Sequence, residues 1–254
     1  MKSESENFEE VKPYSADTDT KTGQLEKMFG KISARYDMFN RLMSFGNVGR
    51  WRRNALRTLS PYDPKYILDI ATGTGDFSID AFRVLKPFSV TAIDISGQML
   101  KIAEQKIKRA GLADQVKFDR QDCAALREHD NTYDAATIAF GLRNFEFLDK
   151  SLSEINRTLK PEGYLLVLEM NEPQSKFLFF FYKLYIKLFV KITSRLLSAD
   201  TLAYDYLTHS MHAFPNGKKL IAIFEKAGFK IEKYKTFTFG VCSMYLLKKL
   251  PKFL

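Results

Sequence analysis

Residues Lys65 to Leu100 read KYILDIATGTGDFSIDAFRVLKPFSVTAIDISGQML. A short apolar run, Tyr66 to Ile70, comes first. A glycine-rich turn follows, Thr72-Gly73-Thr74-Gly75-Asp76, and opens into a helical pattern over Phe77 to Leu85. A second apolar run, Val90 to Ile93, ends in Asp94. Strand, glycine turn, helix, strand and acid, in that order, begin a nucleotide-binding βαβ unit. Gly73 and Gly75 permit positive φ and let a ligand approach bare backbone. Asp94, at the carboxyl end of the second strand, is placed to accept both hydroxyls of a ribose. Each such charge-assisted hydrogen bond contributes roughly 1.5–3 kcal/mol. A surface turn followed by an unrelated aspartate is the competing reading, and the flanking strand, helix and acid argue against it.

The same segment discriminates between nucleotides. A dinucleotide fingerprint needs a third glycine three residues after Gly75, and Ser78 stands there. Asp76, at the start of the helix, opposes a pyrophosphate, and Asp69 adds negative charge. S-adenosylmethionine carries a sulfonium, an amino group and a ribose diol but no phosphate, so it suits this loop better than NAD.

The 254 residues are 45% apolar, enough for one domain with a sizeable core and some additions. The net charge of +9 and a pI near 9.3 point to an anionic partner, nucleic acid or membrane. Cys123 and Cys242 form no metal-ligand spacing, and two distant thiols suit a reducing cytoplasm. The first ten residues are acidic and lack the apolar centre of a signal peptide. No run of apolar residues is long enough to span a bilayer. Residues 1–20 are polar and are expected to be a disordered tail, with 21–254 forming a single domain.

From Leu25 a helical stripe runs through Met28, Phe29, Ile32, Tyr36, Phe39 and Met43. Residues 21–60 read either as a helical lid across the carboxyl ends of the strands or as helices packed beside the domain. Further strands are expected at Val116–Asp119, Ala135–Ala139, Tyr164–Met170, Lys230–Tyr234 and Met244–Lys248. The intervening helices are Met99–Ala110, Ser151–Leu159, Leu202–Pro215 and Lys218–Ala227, with Pro161-Glu162-Gly163 as a turn. Seven strands alternating with helices define an α/β fold, a doubly wound, mostly parallel seven-stranded sheet of Rossmann-like type. In its register Asp122 falls where an adenine amino group would be read, unless it is a solvated loop acid. The helical pattern Phe177 to Leu197 carries Lys183, Lys187 and Lys191 on an otherwise apolar surface. It reads as a membrane-surface helix, or as a cap within 172–215 buried against the domain or a dimer partner. His209 and His212 are open to structural or catalytic roles.

The constellation resembles the ubiquinone/menaquinone biosynthesis C-methyltransferases (the UbiE/MenG type), within the class I S-adenosylmethionine-dependent methyltransferases. The likeness runs from about Lys27 to Tyr245. It rests on Met28-Phe29, Arg35-Tyr36-Asp37, Asn40, Gly46, Trp51-Arg52, Leu68 to Ala71, Gly73 to Asp76, Asp94, Ser96 and Met99-Leu100. Its most specific parts are Phe140-Gly141-Leu142-Arg143-Asn144, Tyr206-Leu207, Ser210 and Phe214-Pro215. The chain departs from the family pattern at Glu162, Leu126-Arg127-Glu128, Cys123 and Ala139. The resemblance implies cofactor contacts from Thr74, Asp94, Asp122 and Cys123. It also implies C-methylation of demethylmenaquinol to menaquinol, or of the related ubiquinone precursor. The polyprenyl tail of such a substrate calls for an apolar entrance beside a membrane, consistent with a cytoplasmic protein held on the membrane's inner face. Methyl transfer to a ring carbon needs an ionised neighbouring hydroxyl. Arg143 is the candidate to stabilise that phenolate or to polarise a water that takes its proton; the competing reading is a buried salt bridge. A nucleic-acid methyltransferase would want a base-flipping motif or basic groove after the fourth strand, and only Arg143 stands there. A membrane-surface module with an unused glycine loop is the non-enzymatic alternative. No metal site and no nucleic-acid partner are expected.

Overall fold

The computed structural model describes residues 8–14, 17–173, 175, 177–185 and 201–251, the side chains of Thr201 and Tyr204 excepted. Seven strands form one sheet: β1 (Tyr66–Ile70), β2 (Ser89–Asp94), β3 (Val116–Arg120), β4 (Tyr133–Ala139), β5 (Leu159–Met170), β6 (Phe229–Phe237) and β7 (Cys242–Lys249). Their spatial order is β3-β2-β1-β4-β5-β7-β6, and β7 alone runs antiparallel to both of its neighbours. The doubly wound expectation therefore holds. Around the sheet lie α1 (Lys21–Met43), α2 (Val48–Leu56), α3 (Asp76–Leu85), α4 (Gly97–Arg109), α5 (Leu148–Thr158), α6 (described over 177–185), α7 (Thr201–Ala213) and α8 (Lys218–Lys226).

Strand β1 is apolar without alternation because both of its faces are covered: Ile67, Leu68 and Ile70 are almost wholly buried. It pairs with β2 on one side and β4 on the other. The connections leaving β1 and β4 therefore diverge to opposite faces of the sheet. A crevice opens between them at the carboxyl ends, where ligands of this architecture bind.

Helix α1 begins where Thr20 accepts the Gly23 N–H on its side chain, at 3.1 Å. The expected stripe faces inward: Leu25, Met28, Ile32, Phe39 and Met43 are buried. The described part of the N-terminal segment is packed, where a disordered tail was expected. Phe8 meets the Phe214 ring edge-on, Val11 is buried, and Glu9 accepts the Leu148 N–H at 3.0 Å. Charge content suggested disorder, but this acid caps a helix start and the aromatic finds a pocket.

Two further boundaries shift. Pro161-Glu162-Gly163 is no separate turn but an excursion within β5, since Leu159 pairs with Tyr133 and Tyr164 already pairs with Ala135. Ladder pairing on both sides of the irregularity outweighs the local turn signal. Of the Phe177–Leu197 pattern, residues 177–185 are helical, and Lys187 and Lys191 lie outside the described residues.

Candidate active site

The glycine turn is built on left-handed backbone: Ala71, Gly73 and Gly75 have φ of 53°, 57° and 81°. Beneath it Asp69 is sealed from water. One of its carboxylate oxygens accepts from Thr72 Oγ1 (2.7 Å) and Ser78 Oγ (2.6 Å), the other from Thr137 Oγ1 (2.7 Å). Burial raises its pKa, and the three hydroxyls oppose that shift. Ser78 thus has a structural duty at the position where a dinucleotide fold carries glycine.

Asp94 sits at the other side of the turn. Its Oδ2 accepts the Gly73 N–H and its Oδ1 the Ser96 N–H, each at 2.8 Å. A carboxylate has about four acceptor sites, so two remain for a diol while the backbone bonds hold the group in place. Burial raises its pKa to about 6, and the neighbouring Asp69 adds to the rise while the backbone N–H groups resist it.

Gly73 and Asp94 open onto a cleft with about 690 Å³ of empty space, including its mouth. One wall is apolar: Ile70, Ile93, Ile95, Met99, Cys123 and Ala139. Asp122 and Cys123 both line the cleft. Asp122 also accepts the Ala124 N–H at 2.8 Å and so caps the turn after β3. The Cys123 thiol is buried, which pushes its pKa up and keeps it protonated. Helix α1 lines the cleft with Thr22, Phe29 and Tyr36, and we propose that it serves as its lid. Glu146, after β4, accepts the Lys21 and Thr22 N–H groups at 3.3 and 2.9 Å and ties down the start of that lid. Burial alone would raise Glu146, but those N–H groups outweigh it and hold the carboxyl below its ordinary range.

Three residues proposed from sequence do not line the cleft. The Thr74 hydroxyl donates to Asp37 Oδ1 of the lid and accepts from Lys106 Nζ at 3.1 Å. Gly75 serves packing, since a Cβ there would lie 3.0 Å from the Ala103 Cβ of α4. Arg143 is buried in an ion pair with Glu169 and donates to the Phe140 carbonyl at 2.8 Å. Burial works against its charge, but Glu169 prevails and its pKa rises. Its Nε–H is buried with no acceptor among the described residues.

The electrostatic case against a phosphate stands, but on different residues. Asp76 does not face the cleft; Arg52 (3.1 Å) and Lys106 pair with it and outweigh burial to lower its pKa. Instead the lining itself holds Asp94, Asp122 and Glu146 and, among the described residues, no lysine or arginine. Such a lining disfavours a pyrophosphate and favours a ligand with positive charge and a diol. The cleft therefore fits S-adenosylmethionine. Sequence reading missed Thr22 and Glu146, which meet across more than a hundred residues of chain. It did flag Gly141 without a reason, and the structure supplies one: a Cβ there would lie 2.6 Å from the Ala71 Cβ. His209 is exposed on α7, and His212 Nδ1 lies 2.8 Å from Glu172.

The model of the ubiE/COQ5 methyltransferase family matches residues 17–249. A demethylmenaquinone methyltransferase from Bacteroides fragilis is 41% identical over 241 residues, covering 95% of this chain and 98% of that one. A ubiquinone/menaquinone biosynthesis C-methyltransferase from Geobacter sulfurreducens is 34% identical, covering 89% and 88%. A SAM-dependent methyltransferase from Thermotoga maritima shares the fold at a TM-score of 0.61, with 18% identity and coverage of 88% and 98%.

Proposed function

The chain belongs to the ubiE/COQ5 methyltransferase family, and from that premise we infer that it is an S-adenosylmethionine-dependent C-methyltransferase converting demethylmenaquinol to menaquinol. The observation that carries the cofactor assignment is the cleft lining, where Asp94 faces a space with two further carboxylates and, among the described residues, no basic side chain. Bound there, S-adenosylmethionine supplies an electrophilic methyl group.

The chain's own residues bind, align and shield. Asp94 would hold the ribose through its spare acceptor sites, Gly73 offers bare backbone, and Asp122 would take the adenine amino group. Phe29 and Tyr36 of the lid exclude water, so an acceptor ring carbon meets the methyl group in line. Alignment of that kind can supply roughly 7–11 kcal/mol of a barrier.

Ionising the quinol hydroxyl is the remaining demand. At a phenol-like pKa of about 10, roughly one part in a thousand is ionised at pH 7, a deficit of about 4 kcal/mol. Arg143 is proposed to meet it. A buried N–H without an acceptor costs about 1–3 kcal/mol, so a substrate oxygen or a water reaching its Nε–H would be stabilised there. The ion pair with Glu169 keeps the guanidinium charged and fixed. A polyprenyl tail on the substrate supports a peripheral position on the inner face of the membrane.

The test is a transfer assay with methyl-labelled S-adenosylmethionine, offering a naphthoquinol and a benzoquinol in detergent. Label in the naphthoquinol is expected. Label in the benzoquinol alone would move the substrate assignment, and label in neither would refute the reading.

A further inference from the structure

Exposed apolar side chains on this molecule are gathered. Of fifteen large hydrophobic residues exposed among the described residues, seven lie on two adjoining segments. Met38 and Leu42 stand one turn apart at the end of α1, and Phe45 follows two residues beyond it. Phe177, Phe180, Phe181 and Leu184 form an i, i+3, i+4, i+7 stripe on α6. The segments are fastened together: the Tyr185 hydroxyl donates to the Leu42 carbonyl at 2.6 Å, and the Tyr185 and Phe45 rings stack at 4.0 Å. The opposite side of α6 is its core side, where Tyr182 is buried near Met211. The outward stripe is therefore a second apolar face, which a helix packed only against its own domain does not need.

The charge on this surface selects its partner. Residues 38–46 and 177–185 contain Arg41 and Lys183 and no acid. Lys183 lies with its ammonium 4.5 Å from the Phe179 ring centroid, a cation resting on an aromatic base. Aromatic and aliphatic side chains interleaved with cations, and no carboxylate, fit an anionic lipid interface. We propose that the joined outer faces of α1 and α6 seat this protein on an anionic phospholipid bilayer, with α1 carrying both part of the seat and a wall of the cleft. The inference rests on the polyprenyl quinol reading for its purpose, and it adds which surface docks and which element links docking to the site. Tyr36, which lines the cleft, is two residues from Met38 in the seat. An isoprenoid tail leaving past α1 would then enter the acyl chains directly.

The experiment is co-sedimentation of the full chain with vesicles of phosphatidylcholine, alone and mixed with phosphatidylglycerol. Binding is expected with the mixed vesicles and is expected to weaken as salt is added. Phe180→Glu combined with Phe181→Glu should lower the partition coefficient at least about tenfold, since it replaces buried rings by charges at the interface. S-adenosylmethionine binding by that variant certifies its fold. Phe45→Asn, which suits the left-handed backbone there (φ 52°), should weaken binding by a smaller factor. Phe88→Glu, exposed at the opposite end of the sheet, should leave binding unchanged. Equal sedimentation of wild type and double variant would overturn the proposal. So would a wild-type dimer in solution that the double variant converts to monomer without any vesicle binding by either. Turnover of a tail-less quinol in solution, measured beside these, reports on the methyltransferase reading alone, so the two can fail separately.

Discussion

Lowering the pH from 7 to 5 should weaken S-adenosylmethionine binding about tenfold, through Asp94. In the free protein this carboxyl has its pKa raised to about 6, by burial first and then by Asp69. It is therefore about nine-tenths ionised at pH 7 and about one-tenth ionised at pH 5. Gripping a diol requires acceptors, so the ionised form binds and the protonated form must first lose its proton. The ratio of the two fractions is close to ten, or about 1.4 kcal/mol. Other groups contribute little in this window. Glu146 is held below its ordinary range, and the ligand's own carboxyl and amino groups titrate near 3.5 and 7.8, at or beyond the ends of the range. Linkage has a second consequence of the opposite sign. The folded value lies above the model value of 3.8, so Asp94 stabilises the unliganded fold below about pH 4, and that contribution is lost as pH rises through 6. Bound ligand should therefore raise Tm more at pH 7 than at pH 5. Calorimetric titration across the range gives the affinity, with Asp94→Asn as reference. The variant keeps no titrating group and should bind weakly with a flat profile. It should also bind worse than loss of charge alone implies, because one amide oxygen cannot serve both the Gly73 and Ser96 N–H groups. A wild-type affinity constant from pH 5 to 7, or a D94N profile that still falls with acid, would refute the assignment of this residue to the ligand.

Gly141→Ala should cost about 1–3 kcal/mol of stability, because its methyl would lie 2.6 Å from that of Ala71 in a packed wall; thermal denaturation measures it, and Ala71→Gly should partly restore it. Glu169→Gln should destabilise by about 3–5 kcal/mol, since it leaves the Arg143 charge buried and unpaired; a chemical denaturation midpoint near wild type would mean the pair is not the anchor described. Glu146→Gln removes the charge that holds the first N–H groups of the lid, and a loss of about 1 kcal/mol corresponds to a roughly fivefold faster cofactor off-rate; stopped-flow displacement reads that rate.

Local periodicity carried the fold. The runs Tyr66–Ile70 and Val90–Ile93 are mostly apolar because both faces of a parallel sheet are covered, and the glycine turn between them announces itself by composition. Where reading failed, contacts distant in sequence were responsible. Nothing beside Glu146 in sequence marks it as a lid anchor, because its partners are 124 and 125 residues away. Pro161-Glu162-Gly163 has turn composition, and only the pairing of Leu159 with Tyr133 reveals that the strand begins before it. Thr74 was expected at the ligand because the family resemblance implied it, yet its hydroxyl answers Asp37 of α1. Asp76 was taken as a charge facing the ligand, and Arg52 and Lys106 had already neutralised it.

These last contacts make the lid part of the cofactor site. Asp37 in α1 bonds Thr74 of the turn and Lys106 of α4, while the start of α1 hangs on Glu146 after β4. The crevice arises because the connections from β1 and β4 part company, and α1 is fastened to both. A helix tied across the two lips of a cleft cannot leave one without loosening its hold on the other. Ligand entry then requires breaking bonds at both ends or swinging α1 about one of them. The two anchors differ in strength. Glu146 is half-buried and accepts two helix N–H groups, whereas Asp37 is more exposed and its bonds compete with water. The Asp37 anchor is therefore the weaker of the two, and it is also the one nearer Met38, Leu42 and Phe45. A surface that grips those three side chains would hold that end of α1 in place, which would couple access to the cleft to whatever the outer face of α1 is seated on.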